Sequence, residues 1–102
     1  MDKDIKKLWV DALNSGDYQQ NYGMLKKGEC YCCLGVLTDI HAQHASIPFK
    51  DSAGLLNHKV MEWADLNSNN PRVGKWRSKL AVINDREKLN FKQIAKLIDK
   101  HL

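Results

Sequence analysis

The chain has 102 residues, of which 43% are hydrophobic and 27% charged, a composition typical of one folded domain and not of a disordered segment. Its apolar runs are only a few residues long, whereas a membrane-spanning helix needs about 20, and no apolar signal core follows the charged start MDKDIKK. Three cysteines, an odd number, fit a reducing compartment. We therefore expect a single domain, residues 1–102, in the cytoplasm and without a membrane partner.

The net charge of +4 is concentrated in the second half of the chain. Residues 1–58 carry six Lys and seven Asp or Glu, whereas residues 59–102 carry ten Lys or Arg and five Asp or Glu. The excess is densest around Trp76, where four cations occur without an intervening acid. Those cations are Arg72, Lys75, Arg77 and Lys79. Such a patch attracts phosphate groups, although a solvated basic loop is the simpler alternative.

The first predicted element is an amphipathic helix over residues 3–14. Its apolar side chains repeat with the 3.6-residue period of one helix face. They are Ile5, Leu8, Trp9, Ala12 and Leu13. Trp9 is expected in the core, and Gly16 is placed to end the helix in a left-handed conformation.

A short β-hairpin is predicted next, because YGML and ECYC flank a Lys-Lys-Gly turn at residues 26–28. A second helix is expected over residues 32–43, where apolar residues again repeat at helical spacing and the first turn is apolar on nearly every side. This pattern indicates a central, buried helix. The stretch ASIPFKDSAG follows as a loop, since Pro48 and Gly54 interrupt it.

The second half of the chain predicts a third helix over residues 57–64, with Trp63 in the core. Residues 67–74 contain Asn, Pro and Gly and are predicted to be a loop leading into the basic stretch GKWRSK. The apolar residues at 80–83 are too few for their spacing to distinguish helix from strand.

The last helix begins at a capping box in which Asn90 is the N-cap and Gln93 the third helical residue. Its apolar face runs from Phe91 to Ile98. Taken together, the elements predict an α+β fold: one small, mostly helical domain with about four helices around the second one, and a short β-hairpin.

The stretch ECYCCLGVLTDIHAQH, residues 29–44, contains three cysteines and two histidines, residue types that bind zinc. Ligands of one tetrahedral zinc lie within about 4 Å of each other. A helix would separate Cys33 from His41 by about 12 Å. No CxxC or HExxH spacing occurs either. We therefore expect no metal and no other cofactor, with Cys32 and Cys33 as small buried residues at the start of the helix.

A cysteine nucleophile is the alternative, because the dipole of a helix stabilises a thiolate at its N-terminus. It would need a base, and the sequence does not tell whether any of the four histidines lies within reach. No glycine-rich phosphate loop, G-x-S-x-G or S-x-x-K motif is present. We therefore favour a non-catalytic protein and keep a small cysteine enzyme as an alternative.

The basic stretch suggests a different kind of site. Its four cations would hold phosphates while the indole of Trp76 stacks on a base, a combination used to bind single strands. No helix presents the row of Arg, Lys, Asn and Gln expected of a protein that reads duplex DNA. The pattern fits a nucleotide, a nucleic acid or an acidic protein partner equally well.

Four motifs occur in a fixed order along nearly the whole chain. They are SG-x-Y-x-Q-x-x-G-x-L at residues 15–25, YCCLGVL at 31–37, W-A-x-L at 63–66, and L-A-x-x-N-D with F-x-x-I-A-x-x-I towards the end. In this combination they resemble a family of small tailed-phage and prophage proteins that has no established general activity. The resemblance implies a context, the cytoplasm of a bacterial host, and no mechanism.

The resemblance also directs attention to Tyr18, Gln20 and Gly23, polar or small residues in a non-helical stretch. Beside Tyr31 they would form a binding loop, although a turn stabilised by Gln20 is the simpler alternative. Asn84 fits a turn or a cap better than a site.

Small phage proteins of this kind resemble antagonists of host defence, which predicts a non-catalytic accessory protein that sequesters a phosphorylated nucleotide signal. The predicted ligand-binding residues are Tyr18, Gln20, Gly23, Tyr31, Arg72, Lys75, Trp76, Arg77 and Lys79. The alternatives are a module that binds nucleic acid or a host protein, and a small cysteine-dependent enzyme. Assembly into a homo-oligomer is left open.

Overall fold

The structure, a computed structural model, describes all 102 residues. Its five helices are α1 Lys3–Ser15, α2 Cys33–Ala45, α3 His58–Ala64, α4 Leu80–Asp85 and α5 Phe91–His101. Its strands, two residues each, are β1 Gln19–Gln20, β2 Lys26–Lys27, β3 Cys30–Tyr31, β4 Arg72–Val73 and β5 Ser78–Lys79. The predicted α+β class is confirmed, with α4 as the additional helix. No helix combines the length and apolar content needed to cross a membrane.

The centre of the fold is α2, as its apolar start predicts. Every residue from 32 to 38 is buried, and α2 contacts α1, α3 and α4. Gly35 allows this close packing, because a Cβ built on it would lie 1.7 Å from the backbone oxygen of Leu25. Only a residue without a side chain fits where β2 approaches the helix.

The first and last helices pack side by side, and α1 also packs against α2. Trp9 is fully buried, as predicted, and its Nε1–H donates a hydrogen bond of 3.0 Å to the carbonyl oxygen of Cys33. Gly16 ends α1 in the left-handed region, at φ 81°. Leu8, which the helical stripe placed in the core, is 52% exposed. That prediction was wrong because α2 and α5 cover one side of α1 only, and Leu8 lies outside it.

The capping box of α5 is confirmed. The side chain of Asn90 accepts a hydrogen bond from the backbone of Gln93, and the side chain of Gln93 accepts one from the backbone of Asn90. Between them they use two donors that the first turn of a helix otherwise leaves unpaired.

The predicted hairpin is present as β2 and β3, and a further strand joins it. The sheet order is β1-β3-β2, with β1 parallel and β2 antiparallel to β3. The turn lies at Gly28 and Glu29 and not at residues 26–28, because Lys26 and Lys27 pair with β3. Lys26 also pairs with Ser52, which ties the following loop to this sheet.

A second hairpin, formed by β4 and β5, lies within the stretch predicted to be a basic loop. Strands of two residues are too short to leave a period in the sequence. The ambiguous segment after it is helical and forms α4, in which Leu80 and Ile83 are buried. The N-terminus of α4 therefore follows the basic hairpin directly.

Candidate functional site

The nine predicted residues fall into two groups. Tyr18, Gln20, Gly23 and Tyr31 lie on or beside the three-stranded sheet, and the remaining five lie on the β4–β5 hairpin. No single hollow collects them. Tyr18 and Gln20 line one, Lys75 and Trp76 a second, and Arg72 and Arg77 a third. The structure therefore describes two separate surfaces and not one cleft.

Gln20 is occupied by a buried hydrogen-bond network. Its Nε2 donates to Asn84 Oδ1 and to the carbonyl oxygen of Leu89, both at 2.9 Å. Asn84 is fully buried. Its Oδ1 also accepts a hydrogen bond of 3.2 Å from the backbone N–H of Cys33. Its Nδ2 donates one of 2.9 Å to the carbonyl oxygen of Asn21. The network joins β1, the start of α2 and α4.

Asn84 thus has a structural role, as the interpretation as a turn or cap residue expected, and its Oδ1 accepts the first N–H of α2. What that interpretation missed is that Asn84 is the centre of this network. A signal was present in the motifs, since Gln20, Cys33 and Asn84 belong to three of the four. The sequence alone does not reveal that residues 51 and 64 positions away in the chain meet at one amide.

The two predicted tyrosines form part of an aromatic cluster. The hydroxyl of Tyr18 donates to Asp39 Oδ2 at 2.5 Å, and its ring meets that of Tyr31 edge to face at 5.0 Å. Burial and the neighbouring carboxylate raise the pKa of Tyr18, and burial raises that of Tyr31, so both phenols stay neutral at ordinary pH. Gly23 supplies a turn at φ 90°. These contacts give both tyrosines a structural role. The simpler alternative, a turn stabilised by Gln20, was wrong about Gln20, because its side chain bonds Asn84 and Leu89 and not the turn.

The basic hairpin, residues 72–79, exposes all four of its cations and its tryptophan. Its loop is closed by a hydrogen bond of 3.1 Å from the N–H of Arg77 to the carbonyl oxygen of Gly74. Arg72 Nη1 donates to the carbonyl oxygen of Arg77 at 3.0 Å. At the tip Trp76 is 82% exposed, and Lys75 Nζ lies 5.2 Å from the centroid of its ring.

No carboxylate compensates the charge of the basic hairpin. The ion pairs of the chain are Lys7–Asp11 and His58–Glu62, both within other helices. Glu87 lines the hollow of about 160 Å³ beside Trp76, but it makes no ion pair there. Four cations and an exposed indole within eight residues are therefore available to an anionic, aromatic ligand.

The cysteines at the start of α2 are core residues, as predicted. Cys33 is fully buried and Cys32 is 6% exposed. The sulfur of Cys32 caps the helix by accepting the N–H of Gly35 at 3.4 Å. Burial raises the pKa of both thiols, well above the ordinary value for Cys33, which is the reverse of an activated nucleophile. No group of three or more His, Cys, Asp or Glu is placed to hold a metal ion.

Fold and surface together define a small α+β domain with a buried amide network and an exposed basic hairpin. The chain belongs to the family described as domain of unknown function DUF8296, whose model matches residues 1–102. No curated protein and no solved structure matches the chain. The family thus brings no activity with it, and an inference about function depends on the geometry of the surfaces.

Proposed function

We propose that this protein acts by binding and not by catalysis, and that its basic hairpin binds single-stranded nucleic acid. The observation that carries this proposal is the 82% exposure of Trp76 at the tip of a hairpin with four unpaired cations. Of the three tryptophans, Trp9 is fully buried and Trp63 is partly buried against the core. Tryptophan is highly buried on average and is enriched at interfaces, so Trp76 is the exposed aromatic side chain best placed to contact a partner.

The chemistry of the basic hairpin matches that of a nucleic-acid strand. Arginine and lysine side chains neutralise phosphates, and an indole offers a flat face on which any base can stack. Lys75 already lies over the indole ring, so a base that stacks on the same indole would add to this cation–π contact. With strands of only two residues each, the basic hairpin is too short to line a major groove as longer two-stranded ribbons do, which favours a single strand over a duplex.

Sequestration of a phosphorylated nucleotide is the second candidate. The density of cations, four in eight residues, suits the several phosphates of one nucleotide. Against it, a sequestered nucleotide needs an enclosed pocket, and the hollow beside Trp76 is only about 160 Å³. An open surface suits a polymer, of which only part needs to be in contact at a time.

The setting that we propose follows from the resemblance to small proteins of tailed phages. It is the cytoplasm of an infected bacterium, where such an accessory protein would oppose a host defence through the ligand that it binds. An acidic host protein would bind to the same cations. It differs from nucleic acid because it has no bases to stack on the indole of Trp76.

Fluorescence anisotropy with a labelled oligo(dT) strand tests the proposal. The competing ligands are the same strand in an unlabelled duplex and unlabelled ATP. We expect saturable binding that is tightest for the single strand. Trp76→Ala should weaken it about tenfold or more, because stacking contributes roughly 1–3 kcal/mol per base. Arg77→Glu should weaken it further by reversing one charge.

Lys59→Glu is the matched control, since it makes the same charge change on the exposed surface of α3. It should retain most of the affinity. Equal losses in Lys59→Glu and Arg77→Glu would mean that net charge alone drives the interaction, and the hairpin assignment would then be wrong. Tightest binding of ATP would favour the sequestration candidate instead.

A further inference from the structure

We propose a second binding site, separate from the basic hairpin, in the hollow of about 470 Å³ between the C-terminal half of α2 and residues 47–57. We infer that it takes a small, neutral heteroaromatic molecule. None of the nine residues predicted from the sequence lines this hollow. Its volume lies within the range of about 300–1,000 Å³ that is typical of small-molecule pockets.

Two buried polar side chains of α2 point to a ligand. Thr38 is 7% exposed and His41 is 9% exposed, and both line the hollow one helical turn apart. The hydroxyl of Thr38 donates to the carbonyl oxygen of Leu34 at 2.9 Å, which leaves its lone pairs to accept. Neither ring nitrogen of His41 makes a hydrogen bond within the chain. Both nitrogens remain open to water, since Asn21 Oδ1 is the one buried side-chain atom without a partner. A ligand in the hollow can take the place of that water and bind the same nitrogens.

The imidazole of His41 is held in a defined position. Its ring meets that of Trp63 edge to face, with centroids 5.2 Å apart. Burial lowers its pKa, as do the neighbouring charges of His44 and Lys59, so the ring is neutral at physiological pH and offers one donor and one acceptor. That pair of functions complements the edge of a neutral heterocycle.

The opposite wall is apolar and fixed in place. Ile47 and Leu55 remain 49% and 37% exposed at its rim, and the ring of Phe49 also lines it. Backbone hydrogen bonds hold this wall at three places. They run from Ile47 to Ala42, between Lys26 and Ser52 in both directions, and from Leu56 to Asn69. The hollow is therefore built without a ligand, and a flat ring entering it would cover apolar surface that water now contacts.

The charge around the hollow favours a neutral occupant. Lys50 and Asp51 are adjacent and opposite in charge, and Asp51 already accepts the backbone N–H of Gly28 at 3.0 Å. Lys26 could have added a second positive charge beside Lys50, but its Nζ donates to the carbonyl oxygen of Phe49 at 2.7 Å. A phosphorylated ligand would thus find one cation here whose side chain makes no hydrogen bond within the chain, against three on the basic hairpin, so the two surfaces select different ligands.

Titration of the isotope-labelled protein with indole, nicotinamide and adenine, followed by proton–nitrogen correlation NMR, tests this inference. We expect at least one probe to shift the amide signals of residues 38–42 and 47–57 saturably. Ala42→Phe, which fills the hollow, should abolish the shifts. His41→Leu should weaken binding about tenfold, the loss expected when a hydrogen bond to a buried polar group is removed.

Trp76→Ala serves as the control and should bind the probes as the original chain does, which separates this site from the basic hairpin. If Ala42→Phe does not give a folded spectrum, Thr38→Val takes its place, since it removes the hydroxyl at nearly constant volume. The inference is overturned if no probe shifts these signals, if the shifts spread over the whole surface, or if they persist unchanged in His41→Leu and in the hollow variant.

Discussion

Single buried residues decide much of this fold, and Asn84 does so most clearly. Asn84→Ala would leave the N–H of Cys33 and the amide of Gln20 without their buried acceptor. We expect the free energy of unfolding to fall by about 2–4 kcal/mol, since each unsatisfied buried group costs roughly 1–3 kcal/mol. Urea denaturation measures it. Asn67→Ala, an exposed loop amide, is the control, and equal stability of the two variants would contradict the role given to Asn84.

At Gly35 a single methyl group should prevent folding. Alanine normally stabilises a helix relative to glycine by about 1 kcal/mol. Here its Cβ would overlap the backbone oxygen of Leu25, which cannot move without breaking the pairing of Lys26. Circular dichroism of Gly35→Ala should show loss of the cooperative thermal transition, whereas Gln43→Ala in the same helix should keep it. A stabilised Gly35→Ala would show that β2 does not approach α2 this closely.

The cysteines predict an order of reactivity. Burial raises the pKa of Cys32 and Cys33, so their reactive thiolates form only at higher pH than that of an exposed thiol. Cys30 is only partly buried and should react first. Iodoacetamide at neutral pH, followed by peptide mass spectrometry, should label Cys30 alone in the folded protein and all three in urea. Rapid labelling of Cys32 would revive the cysteine-enzyme alternative.

At the scale of elements, the basic hairpin shows a conflict between stability and binding. Arg77 has φ 50°, in the left-handed region that a side chain normally avoids. Arg77→Gly should therefore raise the free energy of unfolding, by up to about 1 kcal/mol, because glycine adopts this conformation without the steric penalty. The same change should weaken oligo(dT) binding, because it removes a cation.

Thermal unfolding and anisotropy on the same variant measure the two effects. Ser78→Gly, at the neighbouring position of β5, is the control; it should lower stability and leave the charge unchanged. If Arg77→Gly lost stability, the strain assigned to this position would be absent.

The sequence predicted four of the five helices, because their apolar residues repeat at helical spacing, and left α4 undecided because its apolar run is too short. The predicted bounds agree with the observed ones within about two residues for α1, α2, α3 and α5. They include the N-cap at Asn90 and the end of α1 at Gly16. The strands were harder, since two-residue strands have no period. The parallel pairing of Gln19 with Cys30 depends on where α1 and α2 place the chain, which no local pattern encodes.

The candidate sites divide along the same line. The basic hairpin was visible in the sequence because charge and an isolated tryptophan are compositional signals. The amide network and the hollow were not, because they depend on contacts between residues far apart in the chain. The sequence analysis considered His41 as a zinc ligand or as the base of a cysteine nucleophile, and its burial beside Trp63 gives it a different environment.

At the scale of the whole molecule, the positive charge of residues 59–102 is densest on the basic hairpin, whose cations make no ion pair with a carboxylate. The largest hollow lies instead between α2 and residues 47–57, and it shares no lining residue with the basic hairpin. We therefore propose different ligands for the two surfaces: a charged polymer for the basic hairpin and a small neutral molecule for the hollow.

The salt dependence of oligo(dT) affinity tests the central claim most directly. If the four cations of the basic hairpin contact phosphates, the logarithm of the binding constant should fall against that of salt concentration with a slope of about −3, because each contact on a single strand contributes roughly −0.7. Arg77→Gln should make the slope shallower by about one contact. Lys59→Gln, the control, should have the same slope as the original chain. An absence of saturable binding, or a slope that Arg77→Gln does not alter, would contradict the assignment of this surface.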